Sequence, residues 1–178
     1  MAATLVLSLG NVLMSDDGLG PAVLRAFEAA YAVGPDVSVM DLGTPGLDLS
    51  PWLADAGQVV LIDTVKAPLP PGSLRVYEKR DLVAHAAGVR VSPHDPGVRE
   101  TLMALEFAGR CPRDIVLVGI VPDVTTMGLE LTPAVAAAVP PAVLAVVKAL
   151  EGFGAVVTRR AQPLAVQPWW TADLQIPA

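Results

Sequence analysis

Short apolar runs and segments with a helical period alternate along most of the chain. Uninterrupted β-prone apolar runs predict strands at residues 4–9, 37–42, 58–62 and 115–120. Apolar residues spaced three or four positions apart predict helices at residues 18–31, 95–108 and 142–153. The last of these is expected to begin already after Pro133, with an interruption at Pro140 and Pro141. A short helix is expected through Trp52 and Leu53, and residues 74–77 alternate apolar and charged side chains as a half-exposed strand does.

This alternation of strands and helices predicts an α/β fold. Because the strands are continuous apolar runs, we expect a twisted, mostly parallel sheet with helices on both faces. A length of 178 residues fits one domain of about 150 residues with a short remainder. We therefore assign residues 1–155 to a single domain and residues 156–178 to a C-terminal tail of unknown role, which either wraps the domain or is partly disordered.

Composition narrows the possible partners. Hydrophobic residues make up 53% of the chain and charged residues 17%, so the core is expected to be aliphatic. Twelve Lys and Arg against eighteen Asp and Glu give a net charge of −6, which argues against binding to nucleic-acid backbones. A single cysteine, Cys111, allows no internal disulfide. The only basic residues near it in the sequence are Arg110 and Arg113, and no histidine is paired with it, so we do not expect a thiol nucleophile there.

Two apolar stretches raise the question of a membrane. Residues 1–15 lack the basic start of a signal peptide and run into a polar turn. Residues 131–147 contain Pro133, Pro140 and Pro141 and fall short of the roughly 20 clean apolar residues that a spanning helix needs. We expect a cytoplasmic protein that does not cross a membrane.

Acidic side chains follow the predicted strands. Asp16 and Asp17 lie in the loop after the first strand, Asp41 ends the second and Asp63 ends the third, while His94 precedes a predicted helix. The carboxyl ends of parallel strands meet at one edge of the sheet, where the functional crevice of such folds lies. Carboxylates with a neutral imidazole form a ligand set for a divalent metal, and three ligands leave coordination positions open.

Each of these residues also has a purely structural interpretation. Asp16 and Asp17 could be charges favoured by a helix dipole, Asp41 and Asp63 could cap the turns that follow, and His94 could form a local hydrogen bond. The second histidine, His85, has no acid at a useful spacing and is interpreted as structural.

The strand, glycine-containing loop and helix at the start of the chain also suggest a phosphate-binding cradle. The glycines of residues 10–20 match neither the dinucleotide-binding nor the P-loop pattern, and no lysine follows them. Two adjacent aspartates before the helix would repel phosphate. No G-x-S-x-G segment occurs in the chain, which weakens a serine hydrolase interpretation.

The same segments, taken in order, resemble the motifs of the hydrogenase maturation endopeptidases, which trim the C-terminus of the large subunit of nickel-iron hydrogenases. The matching segments are Gly10-Asn11-x-Leu13-x-x-Asp16-Asp17-Gly18-x-Gly20, Asp41-x-Gly43-Thr44, Ile62-Asp63 and Ser92-Pro93-His94. Gly119-Ile120-x-Pro122 and Gly128-x-x-Leu131-Thr132 agree as well. The resemblance covers roughly residues 4–154 and does not include the tail.

The resemblance implies a metal site formed by Asp17, Asp63 and His94, although many members have Glu at the position of Asp17. It also implies that the nickel is supplied by the partner, a hydrogenase large-subunit precursor, and that no organic cofactor is needed. Cleavage would use either metal-assisted water attack or a carboxylate of Asp17 or Asp63 as general base. Residues Asp41, Gly43 and Thr44 either shape a substrate-recognition loop or merely form a turn.

The sequence is also compatible with two other functions. The chain could be a nucleotide-binding α/β module, or a homologue that binds metal or precursor without cleaving it. We expect the free protein to be a monomer, and we expect Asp17, Asp63 and His94 to lie at an exposed edge of the sheet.

Overall fold

The computed structural model describes residues 4–45, 49–84 and 98–165. Its strands, in chain order, are β1 (Thr4–Ser8), β2 (Tyr31–Val33), β3 (Val37–Asp41), β4 (Gln58–Thr64), β5 (Leu74–Glu78), β6 (Asp114–Ile120) and β7 (Val157–Arg159). Its helices are α1 (Leu19–Ala30), α2 (Ser50–Leu53), α3 (Lys79–Ala84), α4 (Val98–Phe107), α5 (Pro133–Ala136) and α6 (Val139–Gly152), and a 3-10 turn covers Ser15–Gly18.

Five strands form the central sheet in the order β3-β1-β4-β6-β5. The first four are parallel to one another, and the edge strand β5 is antiparallel to β6. The mostly parallel sheet confirms the predicted α/β class. β4 lies at its centre, so the end of β4 is flanked by the ends of β1 and β6, which all point to the same edge.

Neighbouring residues of the central strands pack into two different cores. In β4, Ile62 belongs to the core under α1 and α6, whereas Leu61 belongs to the core under α2, α3 and α4. Both side chains are fully buried. A strand covered on both faces needs apolar side chains at every position, which explains why the sequences of these strands are continuous apolar runs.

The helical segment Pro133–Gly152 differs from its expected form. We predicted an interruption at Pro140 and Pro141, but the break lies between α5 and α6, and the two prolines stand in the first turn of α6. Proline is tolerated there because the first backbone N–H groups of a helix have no intrahelical partner. By length and a mean hydropathy of 1.8 this segment could cross a membrane, but α6 also packs apolar side chains against α1 and the sheet, as a core helix does.

A small antiparallel ribbon formed by β2 and β7 was not predicted. β2 directly follows the end of α1 at Ala30, and β7 pairs with it, so the chain after residue 155 returns to the domain. Beyond the ribbon, the backbone N–H groups of Arg160 and Leu164 donate to the carbonyls of Ala30 and Ala29. The described part of the predicted tail therefore wraps against the domain, while the boundary at residue 155 stays a prediction. The predicted start of α4 at Asp95 lies outside the described residues.

The N-terminus of α1 lies directly on the ends of β1 and β4. A Cβ atom at Gly20 would overlap the carbonyl oxygen of Leu9 and come within 2.9 Å of that of Ile62. Only a residue without a side chain permits this approach. It brings the 3-10 turn that precedes α1, with Asp16 and Asp17, to the edge where Asp63 and Thr64 end β4.

Asp16 joins this turn to the loop after β6. The side chain is fully buried, and its Oδ2 accepts hydrogen bonds from the backbone N–H groups of Asp123 (2.9 Å) and Val124 (2.9 Å) and from the Thr132 hydroxyl (2.9 Å). Its Oδ1 accepts the backbone N–H of Thr132 (2.7 Å). These bonds, in addition to any helix dipole, account for a buried carboxylate at this position.

Burial by itself raises the pKa of Asp16, but the hydrogen bonds from Val124, Thr132 and Asp123 outweigh it and hold the pKa below the ordinary value of 3.8. The ionised form is therefore favoured by folding. Its contribution to stability is present above the unfolded pKa and is lost as the pH falls through the lower folded pKa.

Replacing Gly20 by Ala should destabilise the fold by about 2–3 kcal/mol, because the added methyl group forces α1 away from the carbonyls of Leu9 and Ile62. Gly152→Ala is the matched control, since nothing lies within 4 Å of a Cβ built there. Urea unfolding of both variants measures the difference. Equal stability of Gly20→Ala and wild type would contradict the close approach.

Replacing Asp16 by Asn should lower the free energy of unfolding at pH 7 by about 2–3 kcal/mol, because an amide N–H₂ then faces backbone donors. The deficit relative to wild type should persist down to the ordinary Asp pKa of 3.8 and shrink below it, as wild-type Asp16 is protonated. Asp123→Asn, which changes an exposed carboxylate, should leave stability nearly unchanged. Denaturant titrations from pH 7 to pH 3 test this. A deficit that does not change with pH would contradict the claim that the ionised form of Asp16 stabilises the fold.

Candidate active site

Asp17 and Asp63 meet at the carboxyl edge of the sheet. The hydroxyl oxygen of Thr64 lies 3.4 Å from Asp17 Oδ1 and 3.5 Å from Asp63 Oδ1, so one hydroxyl stands between the two carboxylates. The structure thus brings together two of the three residues predicted to bind metal. The expectation that they lie at an exposed edge was wrong, because Asp17 is only 2% exposed and Asp63 is fully buried.

Asp17 is oriented by the loop that precedes it. Its Oδ2 accepts the backbone N–H of Asn11 at 2.9 Å, and the side-chain oxygen of Asn11 in turn accepts the backbone N–H of Leu13 at 3.0 Å. The asparagine therefore bends the loop around the carboxylate. The contact from Thr64 to Asp17 Oδ1 is long, so this oxygen is held less tightly and is the better placed of the two to accept a further ligand.

Asp63 is positioned by the central strand itself. It is paired in register with Gly119 of β6, and its Oδ1 accepts the backbone N–H of Thr64 at 2.6 Å. A strand end with neighbours on both sides has little freedom, so the direction of this carboxylate is set by the sheet.

The site concentrates negative charge away from water. Within the described ranges, no lysine or arginine forms an ion pair with Asp16 or Asp17; the ion pairs found there involve other residues. Two ionised carboxylates that share one hydroxyl repel each other, and a bound cation relieves this repulsion. Carboxylate oxygens are suitable ligands for a divalent metal, so the donor chemistry of Asp17 and Asp63 fits one.

The predicted third ligand, His94, lies outside the described residues, as does His85. Among the residues that are described, no group of three or more His, Cys, Asp or Glu side chains is arranged to hold a metal ion. The metal role of Asp17, Asp63 and His94 therefore stays a prediction, with two of the three side chains adjacent.

Asp41 builds the turn after β3. Its Oδ1 accepts the hydroxyl of Ser8 at 2.8 Å and the backbone N–H of Gly43 at 3.1 Å. Gly43 has a φ of +57°, which favours glycine, and its carbonyl accepts the N–H of Gly10 at 2.9 Å. The turn is thus tied to the loop that carries Asp17, and the exposed Thr44 stands at its surface. These contacts give Asp41 a structural role, and its role in substrate recognition stays a prediction.

Sequence reasoning missed three side chains that shape this site. Thr64 stands between the carboxylates, Asn11 directs Asp17, and Thr132 donates twice to Asp16. Asn11 and Thr132 belong to segments already noticed for their resemblance, and Thr64 directly follows Asp63. A polar residue inside or beside an acidic motif was the available signal, but its partner becomes visible only in the folded chain.

Comparison with known proteins gives a consistent result. The family model for hydrogenase maturation protease matches residues 21–149. The hydrogenase expression/formation protein HupD of Bradyrhizobium diazoefficiens is 34% identical over 162 residues, which cover 90% of this chain and 84% of that protein. The hydrogenase 2 maturation protease of Escherichia coli is 31% identical over 151 residues, covering 84% of this chain and 92% of that protein.

Solved structures agree with these matches. The hydrogenase maturating endopeptidase HybD of Escherichia coli superimposes with a TM-score of 0.80 at 30% identity, covering 89% of this chain and 98% of that one. The nickel-iron hydrogenase maturation protease HybD of Thermococcus kodakarensis gives a TM-score of 0.64 at 27% identity, over 82% of this chain and 97% of that one. The suggestion of a nucleotide-binding module finds no support in these matches. The chain belongs to the hydrogenase maturation protease family.

Proposed function

We propose that this maturation protease removes the C-terminal extension of a nickel-loaded large-subunit precursor of a nickel-iron hydrogenase, and that the nickel carried by the precursor marks it for cleavage. The observation that carries the proposal is the pair of buried carboxylates, Asp17 and Asp63, on either side of the Thr64 hydroxyl. In a member of a protease family, such a pair at the carboxyl edge of the sheet is the natural place for the reaction.

The chemistry of the donor set supports nickel as part of the substrate. Asp17 and Asp63, completed by His94, make an oxygen-rich and incomplete ligand set. Such a set holds a divalent metal weakly, and thiolates of the precursor would supply the softer ligands that nickel accepts. Weak binding by the protease alone lets it release the product once the peptide is cut.

Hydrolysis requires that a water oxygen attack the carbonyl carbon of the scissile bond, that the C–N bond break and that the leaving amine gain a proton. We favour metal-assisted attack, because both carboxylates are oriented by hydrogen bonds as metal ligands usually are: Asp17 by the N–H of Asn11 and Asp63 by the N–H of Thr64. The alternative is that Asp17 or Asp63 takes the proton of the water as general base.

We also propose that Asp41, Gly43 and Thr44 form the recognition turn beside the site. Asp41 and Gly43 hold its shape through the bonds to Ser8 and Gly10, and the exposed Thr44 side chain is available to a bound protein. The cytoplasmic location and the monomeric state of the free protein stay predictions.

Nickel-loaded precursor should lose its C-terminal extension when mixed with the protein, whereas nickel-free precursor should stay intact. Mass spectrometry of both mixtures follows the cut. No trimming of the cognate loaded precursor would overturn the proposed function. Binding of the loaded precursor without any cut would instead identify a homologue that has lost proteolysis.

Asp17→Asn, Asp63→Asn and His94→Ala should each slow processing by about 100-fold or more, because each removes a ligand or base from the site. Asp36→Asn, which changes an exposed carboxylate, is the matched control and should process at the wild-type rate. Because Asp17 and Asp63 are buried, thermal unfolding of each variant is measured alongside, and Ni²⁺ titration should show weaker binding. Normal processing by a folded Asp63→Asn variant would refute the site.

Thr44→Ala should raise KM for the loaded precursor several-fold while leaving kcat and thermal stability near wild-type values, because an exposed side chain contributes to binding and not to folding. Steady-state processing rates at several precursor concentrations give both constants. An unchanged KM would leave the turn with a structural role only.

A further inference from the structure

Two loops at the carboxyl edge of the sheet expose large apolar side chains. Leu13 is 55% exposed, and on the loop after β6 Met127 is 89%, Leu129 47% and Val124 39% exposed. We call these four residues the apolar rim. Single exposed apolar residues are ordinary, but several on adjoining segments are typical of a surface that binds another molecule.

The rim is held rigidly by backbone hydrogen bonds between the two loops. The N–H of Gly128 donates to the carbonyl of Leu13 at 2.9 Å, and the N–H of Ser15 donates to the carbonyl of Gly128 at 2.8 Å. The Ser15 hydroxyl also donates to the carbonyl of Thr126 at 3.0 Å. A surface that is already ordered loses little conformational entropy when a partner binds it.

The rim is continuous with the candidate active site. Leu13 belongs to the turn that Asn11 bends around the carboxylate of Asp17. On the other loop, the N–H of Val124 donates to Asp16 Oδ2, and the N–H of Asp16 donates to the carbonyl of Val124. The two loops that expose the apolar rim are therefore the same loops that hold Asp16 and Asp17 in place.

We propose that the apolar rim binds an apolar segment of the precursor polypeptide and so holds the chain beside Asp17 and Asp63 during cleavage. This inference rests on the proposed function. The occupant is the precursor, because the rim adjoins the site where that protein is cut. Asp123 and Glu130, both exposed, border the apolar residues with charge, which matches the apolar centre and polar margin of protein interfaces.

The test is binding of the nickel-loaded precursor to immobilised wild type, to the double variant Leu13→Ser/Met127→Ser and to Phe107→Ser. Phe107 is 98% exposed on α4 and lies outside the rim, so it controls for the loss of an exposed apolar side chain. The double variant should bind about tenfold more weakly or worse, because a few residues carry most of the energy of an interface and Leu13 and Met127 are the two most exposed residues of the rim. Its Ni²⁺ affinity and unfolding temperature should equal those of wild type, and Phe107→Ser should bind normally.

If the double variant binds as tightly as wild type, the proposed role of the apolar rim is wrong. The proposed function would stay intact, since wild-type cleavage is measured separately. A wild-type protein that binds precursor but does not cut it would contradict the proposed function, and the binding comparison would still decide the role of the rim. If wild type forms a dimer that the double variant loses, by light scattering, and precursor binding is equal, the rim belongs to self-association and the proposal fails.

Discussion

The buried carboxylate of Asp16 is the interaction on which the rest of the site depends. It gathers hydrogen bonds from Asp123, Val124 and Thr132, and so attaches the loop after β6 to the turn before α1. Burying an ionised side chain is costly, and hydrogen bonds from several donors offset that cost. Because the bonds join two distant segments, they determine where the turn stands, and with it the direction in which the next residue, Asp17, points toward Asp63.

The two adjacent aspartates, Asp16 and Asp17, thus differ in their hydrogen bonding and in their roles. Asp16 accepts four hydrogen bonds and holds two loops together. Among the described residues, Asp17 has one oxygen held by Asn11 and the other in a long contact with Thr64. The first arrangement stabilises the fold, and the second leaves an oxygen able to bind a cation. The hydrogen bonds of Asp16 also order the loop that carries Met127. The same contacts therefore stabilise the fold, position Asp17 and fix the exposed apolar rim.

Much of the fold was predictable because burial on both faces of a parallel sheet demands continuous apolar runs, as in β4 and β6. The ribbon of β2 and β7 was not, since its two strands have three residues each and are stabilised by a partner far away in the sequence. The position of the α6 start was missed because a helix tolerates Pro140 and Pro141 in its first turn, where they resemble a break.

The sequence by itself determined the α/β class, the family resemblance and the identity of the acidic residues at the strand ends, because these depend on residue type and order. Only the tertiary structure decided that Asp17 and Asp63 are buried and meet at Thr64, that Asp16 serves the loop after β6, and that Asp41 shapes a turn. The physical reason is that the environment of a carboxylate is set by donors from other segments, and folding alone brings those donors within hydrogen-bonding distance.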